Sequence, residues 1–424
     1  MKVLLKTRNI SSAFSISKAG SDEAGIQKFE NLLDKLSIDI GLITQMSLPD
    51  NKKNDLQKQI NLLQSYIDQK SSELKTPTSD VFYTKIDTHF SSVCIENFKR
   101  FNDINLNGLK RINVFAGINN VGKSTILEAI YLLCKQNDFN GLQEVIRLRG
   151  KISDKRISPD WFLSQVNQTK ISGIFDNKSA TVSVKIYAED TSDFDSSAYI
   201  KSLSIASVYD DKNQKSTIRF FEDKDRSVYS EGSKNLCKVI YSSPFFLNEP
   251  YRYSEFYYKA VQSKALPRII NFIHEKVLTS ITDIRLTDAL RRFLVDDDNF
   301  EIAMDLSSYG EGVQRIFFIS LMFASAENGV LLIDEFENAI HVELMSDFSR
   351  FIDELSKEFN VQVFLTSHSK ECIDSFVETL GDNDDVMYCA LKVDTEENPK
   401  VIQFNSKTYR KLVRTSNTDL RRAK

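Results

Sequence analysis

The sequence has little proline and glycine, 7 and 14 of 424 residues, and no excess charge of one sign, with 55 basic and 59 acidic side chains. The low proline and glycine contents exclude collagen-like and linker-dominated chains. A net charge of −4 excludes a general polyanion binder driven by bulk charge. Because 41% of the residues are hydrophobic and 27% are charged, the chain can bury a sizeable core and is not disordered as a whole.

Cysteine pairs and long apolar runs are also missing. The cysteines are odd in number and contain no Cys-x-x-Cys pair: Cys94, Cys134, Cys237, Cys372 and Cys389. This pattern predicts reduced thiols in a cytoplasmic protein rather than a disulfide framework or a zinc site. The apolar stretch at the start is too short for a signal peptide, and no run of about 18 apolar residues predicts a transmembrane helix.

Residues 1–80 differ from the rest of the chain in the spacing of their apolar residues. Apolar residues recur there at steps of three and four, as along the buried face of a helix. They form two sets: Ile26, Phe29, Leu33, Leu36, Ile40 and Ile43, then Leu56, Ile60, Leu63, Ile67 and Leu74. Pro49-Asp50-Asn51 between the sets is a turn signal. The sequence predicts an N-terminal helical hairpin over 1–80, either a packed appendage or an element for oligomerisation or partner docking, followed by a second domain over 81–424.

The second domain has α/β patterning. Short apolar runs predict buried strands at 111–116, 330–333 and 362–366. Alternating segments predict an antiparallel β region at about 170–245, and the stretch at about 252–295 is predicted to be helical.

Residues 117–125, Gly-Ile-Asn-Asn-Val-Gly-Lys-Ser-Thr, match the pattern GxxxxGK[ST] between a predicted strand and a predicted helix. Glycines let a backbone wrap closely around phosphates, while the loop N–H groups and the helix N-terminus attract negative charge. Lys123 is predicted to reach the β- and γ-phosphates of ATP, and the Ser124 hydroxyl to bind Mg²⁺. The predicted binding residues of this loop are Gly117, Asn119, Asn120, Gly122, Lys123, Ser124 and Thr125, the last donating to the α-phosphate.

The apolar run Val330–Ile333 ends in two carboxylates, Asp334 and Glu335. A parallel strand in this position delivers its terminal side chains to the sheet edge that carries the phosphate loop. We predict that Asp334 holds Mg²⁺ through water and that Glu335 orients and deprotonates the attacking water.

Upstream, Ser308, Gly310 and Gly312 lie in a small-residue loop at the start of an apolar helix. Such a loop is either an ordinary N-capped helix start, with Ser308 as the cap, or an anion site. Its place before the Asp334 strand is the order of an ATP-binding-cassette signature, which binds the γ-phosphate of the opposite subunit's ATP. Downstream, His368 ends another predicted strand and is either structural or the switch histidine that contacts the γ-phosphate.

Two further acidic features allow alternatives. Glu337 and His341, just after Glu335, are either loop residues that cross a dimer interface or helix-capping and core residues. The run Asp296–Asp298 favours a hairpin turn over a metal site.

As a set, these motifs resemble the ABC-type ATPases of the OLD-like group, the AAA15 and AAA21 families, which are relatives of the Rad50, SMC and RecF heads. The resemblance covers about 90–424 and is carried by IENFKRF at 95–101, GINNVGKST, SYGEGVQR, LLIDEFENAIH, FLTSHSKE and the Asp-Leu-Arg of 419–421. It implies an α/β P-loop ATPase head with a mixed sheet, an antiparallel β subdomain and a helical subdomain. The chain departs from the family pattern at Tyr309, which replaces a small residue of the signature, and at the Q-loop glutamine, for which Gln143 is the candidate.

The resemblance also implies a function. Such heads dimerise around two Mg-ATP molecules, and the chain is similar to stand-alone ATPase subunits of anti-phage, abortive-infection systems such as PARIS, where a separate nuclease or toxin is the effector. We therefore expect a slow, homo-oligomeric ATPase switch that controls a partner. The alternatives are a scaffold that ATP assembles with little turnover, and a Rad50- or RecF-like DNA-repair ATPase. The helical segments are too short for the long coiled-coil arm of the latter.

DNA contact is a separate alternative. Five cations lie within ten residues, at Arg147, Arg149, Lys151, Lys155 and Arg156, and the last 18 residues carry seven cations and one acid. A charge run is more often a solvated face, and no aromatic interleaving supports stacking on single strands.

Overall fold

The computed structural model describes residues 80–150, 163–164, 166, 168–189, 199–221, 227–230, 232–248, 253–287, 292–394 and 398–422. These belong to the second of two units into which the chain divides, Thr78–Lys424. The hairpin predicted over 1–80 lies outside the described residues, apart from residue 80, and stays a prediction.

The described elements include long runs of consecutive strands, and strands alternate with helices from Glu311 to Val393. The strands are β1 Asp80–Val81, β2 Phe90–Phe98, β3 Phe101–Asn107, β4 Ile112–Ala116, β5 Thr169–Phe175, β6 Lys178–Tyr187, β7 Tyr199–Tyr209, β8 Lys212–Phe221, β9 Ser227–Ser230, β10 Lys234–Asn235, β11 Val239–Ser242, β12 Ile281–Thr287, β13 Arg292–Asp297, β14 Met304–Asp305, β15 Val330–Ile333, β16 Gln362–Ser367, β17 Val386–Val393 and β18 Pro399–Asn405. The α-helices are α1 Lys123–Lys135, α2 Phe139–Gly150, α3 Tyr253–Gln262, α4 Leu266–Phe272, α5 Glu311–Ser325, α6 Val342–Glu358, α7 Lys370–Leu380 and α8 Ser406–Ser416.

Among the described residues, the main sheet has six strands in the order β11-β15-β16-β4-β17-β18. All neighbours run parallel except β18, which is antiparallel to β17. β15 and β4 are buried at every position, as a parallel sheet covered on both faces requires. The three buried strands predicted from short apolar runs are therefore confirmed, as is the α/β class.

The central sheet separates two hydrophobic cores. Successive side chains of a strand point to opposite faces, so Val114 and Leu331 enter one core, which α3 to α7 cover. Phe115 and Leu332 enter the other core, together with α1 and the second large sheet. Helix α1, which follows the phosphate loop, thus lies between two sheets, and its buried side chains include Ile126, Leu127 and Ile130.

The second large sheet is antiparallel, in the order β3-β2-β5-β6-β7-β8-β9 over the described residues. It confirms the predicted antiparallel region from β5 onward. The predicted boundary near residue 245 was wrong, because β11 leaves this region and pairs in parallel with β15. Its sequence, Val-Ile-Tyr-Ser, is largely buried rather than alternating, which suits a strand of the central sheet.

The predicted helical region at 252–295 is helical only in its first half. α3 and α4 are followed by a π-helical turn, Ile273–Val277, and then β12, β13 and β14 form an antiparallel sheet. The register of β12 shifts between Ile281 and Asp283, so its buried residues Ile281 and Ile284 are three apart. This irregularity gives a strand the spacing of a helix. Of the Asp296–Asp298 run, only Asp298 lies in a turn, because Asp296 and Asp297 end β13.

Within the described ranges, no helix is both long and apolar enough to cross a membrane.

Candidate nucleotide site

Three loops converge because three parallel strands end at one edge of the central sheet. β4 leads into the phosphate loop, β15 into Asp334, and β16 into His368. In the sheet, Ala116 pairs with Ser367 and Ile333 pairs with Leu365. Ligands of open α/β sheets bind beyond the carboxyl ends of such strands.

The phosphate loop is braced from within the chain. Gly122 has φ +107° and sits over Phe101, whose ring carbon Cζ would lie 2.6 Å from an added Cβ. A Cβ on Gly117 would lie 2.8 Å from the Leu391 carbonyl oxygen. The Arg100 guanidinium donates to the Asn120 carbonyl. Neither glycine can carry a side chain without displacing its neighbours. With glycine at both positions, the loop backbone can pack closely against these neighbours and keep its shape around a bound phosphate.

Lys123 begins α1, directly after Gly122. Its side chain is buried, and its Nζ donates to the carbonyl oxygens of Gly117 and Ile118, each at 2.9 Å. Burial lowers the pKa of this ammonium, while Glu337, Asp334 and Glu335 act in the opposite direction. The loop thus directs a cation and a helix N-terminus toward the carboxylates beyond β15, an arrangement that can bind a polyphosphate with a divalent cation.

Asp334 is fixed by two hydroxyl groups. The Thr366 hydroxyl donates to its Oδ1 at 2.5 Å, and the Tyr241 hydroxyl donates to its Oδ2 at 3.2 Å. Thr366 also accepts the Glu335 N–H at 2.9 Å. The carboxylate is buried yet fully oriented by neighbours on β16 and β11, as a ligand held ready for a hydrated metal ion requires.

Glu335 occupies a left-handed backbone conformation, with φ +49°. Arg315, on α5, stabilises this turn because its Nη2 donates to the carbonyl oxygens of Asp334, at 2.9 Å, and Glu335, at 2.7 Å. Arg315 is almost fully buried, and burial lowers its pKa to about 10, which leaves it charged at neutral pH. The helix that follows the small-residue loop is thereby tied to the candidate base.

Glu337 holds the loop after β16. Its Oε1 accepts the N–H groups of His368, at 2.6 Å, and Ser369, at 3.0 Å. His368 Nδ1 lies 2.9 Å from the same oxygen, but that nitrogen is not aligned as a hydrogen bond. The His368 side chain is 44% exposed, so its ring reaches solvent while its backbone is held. Glu337 therefore caps a turn within its own chain, and its place at a dimer interface stays a prediction.

The small-residue loop is held by hydrogen bonds on one side and exposed to solvent on the other. The Tyr309 hydroxyl donates to Asp297 Oδ2 at 2.9 Å, and both the N–H and the hydroxyl of Ser307 donate to Asp305. Ser308 and Gly310 are exposed, and an added Cβ on Gly310 would meet no atom within 4 Å. Ser308 does not cap α5, because the N-cap residue is Gly310. That excludes the ordinary capping interpretation of Ser308.

Gly312 has a different environment. A Cβ there would lie 2.5 Å from the Ala339 carbonyl oxygen, so the turn after Glu335 requires a glycine on α5 for close packing. Its predicted phosphate contact stays a prediction. His341 is the N-cap of α6, with its Nδ1 accepting the Glu343 N–H at 3.5 Å. Gln143 lies on α2, which contacts α1.

The basic residues of the last segment are largely paired. Salt bridges join Lys407 to Asp384, Arg410 to Asp382, Arg414 to Glu378, and Arg421 to Asp419. These pairs reduce the positive field expected from that segment. The other basic run lies outside the described residues beyond Gly150, and DNA contact stays a prediction.

Sequence patterns missed three residues that orient the site: Tyr241, Arg315 and Thr366. A charge inside the apolar run of α5 was a usable signal for Arg315, because a fully buried arginine needs partners. Tyr241 had no such signal, since its partner Asp334 is 93 residues away.

Together, the converging loops and the strand order define a P-loop ATPase with an ABC-type head. Residues 112–374, more than half of the chain, match the family described as AAA domain, putative AbiEii toxin, Type IV TA system. The chain belongs to this AAA_21 family and is an ATPase.

Similar proteins are distant. The chain is 22% identical over 338 residues to an ATP/GTP phosphatase of Helicobacter pylori, covering 69% of this chain and 89% of that protein. It is 32% identical over 106 residues to the DNA replication and repair protein RecF of Cytophaga hutchinsonii, covering 24% and 27%. A crystal structure of an SMC head bound to the C-winged helix domain of ScpA aligns over 76% of this chain and 99% of that chain, with 12% identity and a TM-score of 0.43. At that score the structural similarity carries no weight in the assignment.

Proposed function

We propose that this chain is a cytoplasmic, Mg-ATP-driven switch that dimerises around its nucleotide and controls a separate effector protein, a nuclease or toxin. One observation carries the nucleotide site. The buried Lys123 ammonium lies within the electrostatic influence of Glu337, Asp334 and Glu335, and Asp334 is oriented by the Thr366 hydroxyl. This is the arrangement that phosphoryl transfer needs, because its catalysis is mainly positioning and charge stabilisation.

In this mechanism, the loop residues Gly117 to Thr125 enclose the phosphates and Lys123 exchanges its two backbone acceptors for phosphate oxygens. Ser124, and Asp334 through water, would hold a Mg²⁺ ion, which would supply positive charge to neutralise the phosphates. Glu335 orients the attacking water and accepts its proton, while His368 contacts the γ-phosphate. The left-handed turn at Glu335 is fixed by Arg315, which binds the Glu335 backbone carbonyl and not its side chain. The Glu335 carboxylate therefore stays beside Asp334, the proposed metal ligand.

The open face of the small-residue loop supports a composite site. Ser308 and Gly310 are exposed, and their loop is rigidly anchored by Tyr309. In a second copy, they would close on the γ-phosphate held by the first. The family description names a putative toxin of a type IV toxin–antitoxin system, which supports a role in such a system, and the separate effector is part of our proposal. The similarity to an ATP/GTP phosphatase supports a purine nucleoside triphosphate as the substrate, and turnover measured with ATP and with GTP distinguishes the two nucleotides.

The test is to purify the chain with its operon neighbour, with and without ATP, and measure mass and ATP turnover for wild type and Glu335→Gln. Loss of the general base should lower turnover by about 100-fold or more, while the dimer and the bound ATP persist. An assembly of unchanged mass and no turnover in either protein would favour the ATP-assembled scaffold and end the switch mechanism.

A mixing experiment tests the composite site. Lys123→Ala removes phosphate binding in its own loop, and Ser308→Arg blocks the loop offered to the partner. Each variant alone should be inactive. Mixed in equal amounts, they form heterodimers with one intact site, so turnover should return to about a quarter of the wild-type value. A mixture as inactive as its components would contradict the dimer.

A further inference from the structure

A segment beyond the central sheet reaches back to the switch histidine. Arg421 lies in a short 3₁₀ turn, Leu420–Arg422, and its Nη1 donates to the His368 carbonyl oxygen at 3.0 Å. The two residues are 53 positions apart, so this contact depends on the fold and not on local geometry.

The Arg421 guanidinium is held in place by Asp419. Its Nε donates to Asp419 Oδ1 at 2.9 Å and its Nη2 donates to Oδ2 at 2.7 Å. A two-point pair of this kind fixes the plane of the guanidinium as well as its position. The remaining Nη1 is therefore aimed at the His368 carbonyl with little freedom.

The segment itself is anchored in the core. Leu420 is 1% exposed, and its N–H donates to the Tyr409 hydroxyl at 3.1 Å. Tyr409 lies on α8 and is fully buried. Lys370, at the start of α7, donates to Asn417 Oδ1 at 3.1 Å. The segment that carries Arg421 is thus anchored to helices α7 and α8.

His368 is consequently held on both sides of its backbone. Its N–H is bound by Glu337, which follows the Glu335 base in the same turn, and its carbonyl is bound by Arg421. We propose that Arg421 is a positioning residue for His368, and that the Asp419–Arg421 pair sets the ring's approach to the γ-phosphate. This proposal rests on the proposed function, which places His368 at that phosphate.

The experiment measures kcat, KM, the Kd for a fluorescent ATP analogue and the melting temperature of Arg421→Ala, His368→Ala and the double variant. Arg414→Ala is the matched control, because it breaks a surface pair with Glu378 outside the site. A misplacement of a catalytic group by about 1 Å can cost about 100-fold in rate. We expect kcat of Arg421→Ala to fall about 10- to 100-fold with KM and Kd nearly unchanged, and the double variant to be no slower than His368→Ala.

Three outcomes would overturn the proposal. The fold-reductions in kcat of the two single variants could multiply in the double variant, or the affinity of Arg421→Ala for ATP could fall as much as its kcat. The third is a reduction in kcat for Arg414→Ala as large as that for Arg421→Ala. Asp419→Asn keeps the packing of Leu420 and weakens only the hold on Arg421. It should lower kcat by a smaller factor than Arg421→Ala does. Added guanidinium should restore part of the activity of Arg421→Ala. If wild type itself shows no turnover, the proposed function fails; if wild type turns over and Arg421→Ala matches it, only this proposal fails.

Discussion

The two glycine-bearing loops at helix starts are built in opposite ways. The phosphate loop is supported from inside its own chain, with Phe101 beneath Gly122 and Lys123 folded onto loop carbonyls. The small-residue loop is held at its base by the hydrogen bonds of Tyr309 to Asp297 and of Ser307 to Asp305, and its upper face is open at Gly310. One loop is thus braced by its own chain, whereas the other leaves an exposed face where we propose that a second copy binds.

The largest effect is expected on the self-supported loop. Gly122→Ala places a methyl against Phe101 at a backbone angle that L side chains rarely adopt. We expect nucleotide affinity to fall on the order of 100-fold and stability to fall by about 2 kcal/mol. Titration with a fluorescent ATP analogue and urea unfolding measure the two quantities. Normal affinity in this variant would show that the glycine is not needed for the loop's function.

The matched change on the open loop should separate folding from function. Gly310 has φ −56° and open space around it, so Gly310→Ala should change stability by less than about 0.5 kcal/mol. Binding of ATP to the single chain should also be unchanged. Turnover should nevertheless fall about 10-fold, because the methyl group would stand between the loop and the partner's γ-phosphate. Full activity would remove Gly310 from the composite site.

As the pH falls, the protonation of His89, beside the antiparallel sheet, should cost stability before the protonation of the carboxylate that anchors the small-residue loop. His89 immediately precedes β2, which pairs with the strand that carries Phe101, the residue beneath Gly122. Burial lowers the pKa of His89 from 6.5 to about 4. Its depressed pKa means that stability is full above 6.5 and falls as the pH drops toward 4, because the unfolded chain takes up the proton first. Asp297, which anchors Tyr309, has a pKa lowered chiefly by the Asn299 N–H, so its contribution is lost only in stronger acid.

Urea unfolding between pH 7 and pH 5 checks this order. Wild type should lose about 2 kcal/mol more than His89→Gln over that interval. The neutral glutamine is the control because it keeps a polar side chain that does not titrate. Parallel curves for the two proteins would show that His89 is not the group responsible.

The smallest effect is expected at the base of the open loop. Tyr309→Phe removes one hydrogen bond to Asp297, so we expect a loss of about 1 kcal/mol in stability and a turnover reduced several-fold by a looser loop. A double-mutant cycle with Asp297→Asn isolates the pair. Additive losses would mean that the two side chains do not act together.

The sequence predicted the elements that carry the site more fully than the contacts that orient it. Strand, loop and helix from β4 to α1 follow from an apolar run and a glycine pattern, and β15 and β16 follow from short apolar runs ending in polar residues. The hydroxyl groups that orient Asp334 come from Tyr241 on β11 and Thr366 on β16. Which strands lie beside β15 depends on the strand order of the sheet, and the spacing of apolar residues along the sequence does not predict that order. The shifted register of β12 shows the other limit, since one irregular residue gave a strand the spacing of a helix.

The position of β4 in the middle of the sheet has a consequence for biosynthesis. Its neighbours β16 and β17 come late in the chain, with Asn113 bonded to Val363 across 250 residues. A nascent chain therefore exposes its phosphate loop long before the strands that flank it are made, and pairings so distant form slowly. ATP can therefore stabilise the loop only after these strands have been made, and a chain released from the ribosome before that point would be exposed to quality control.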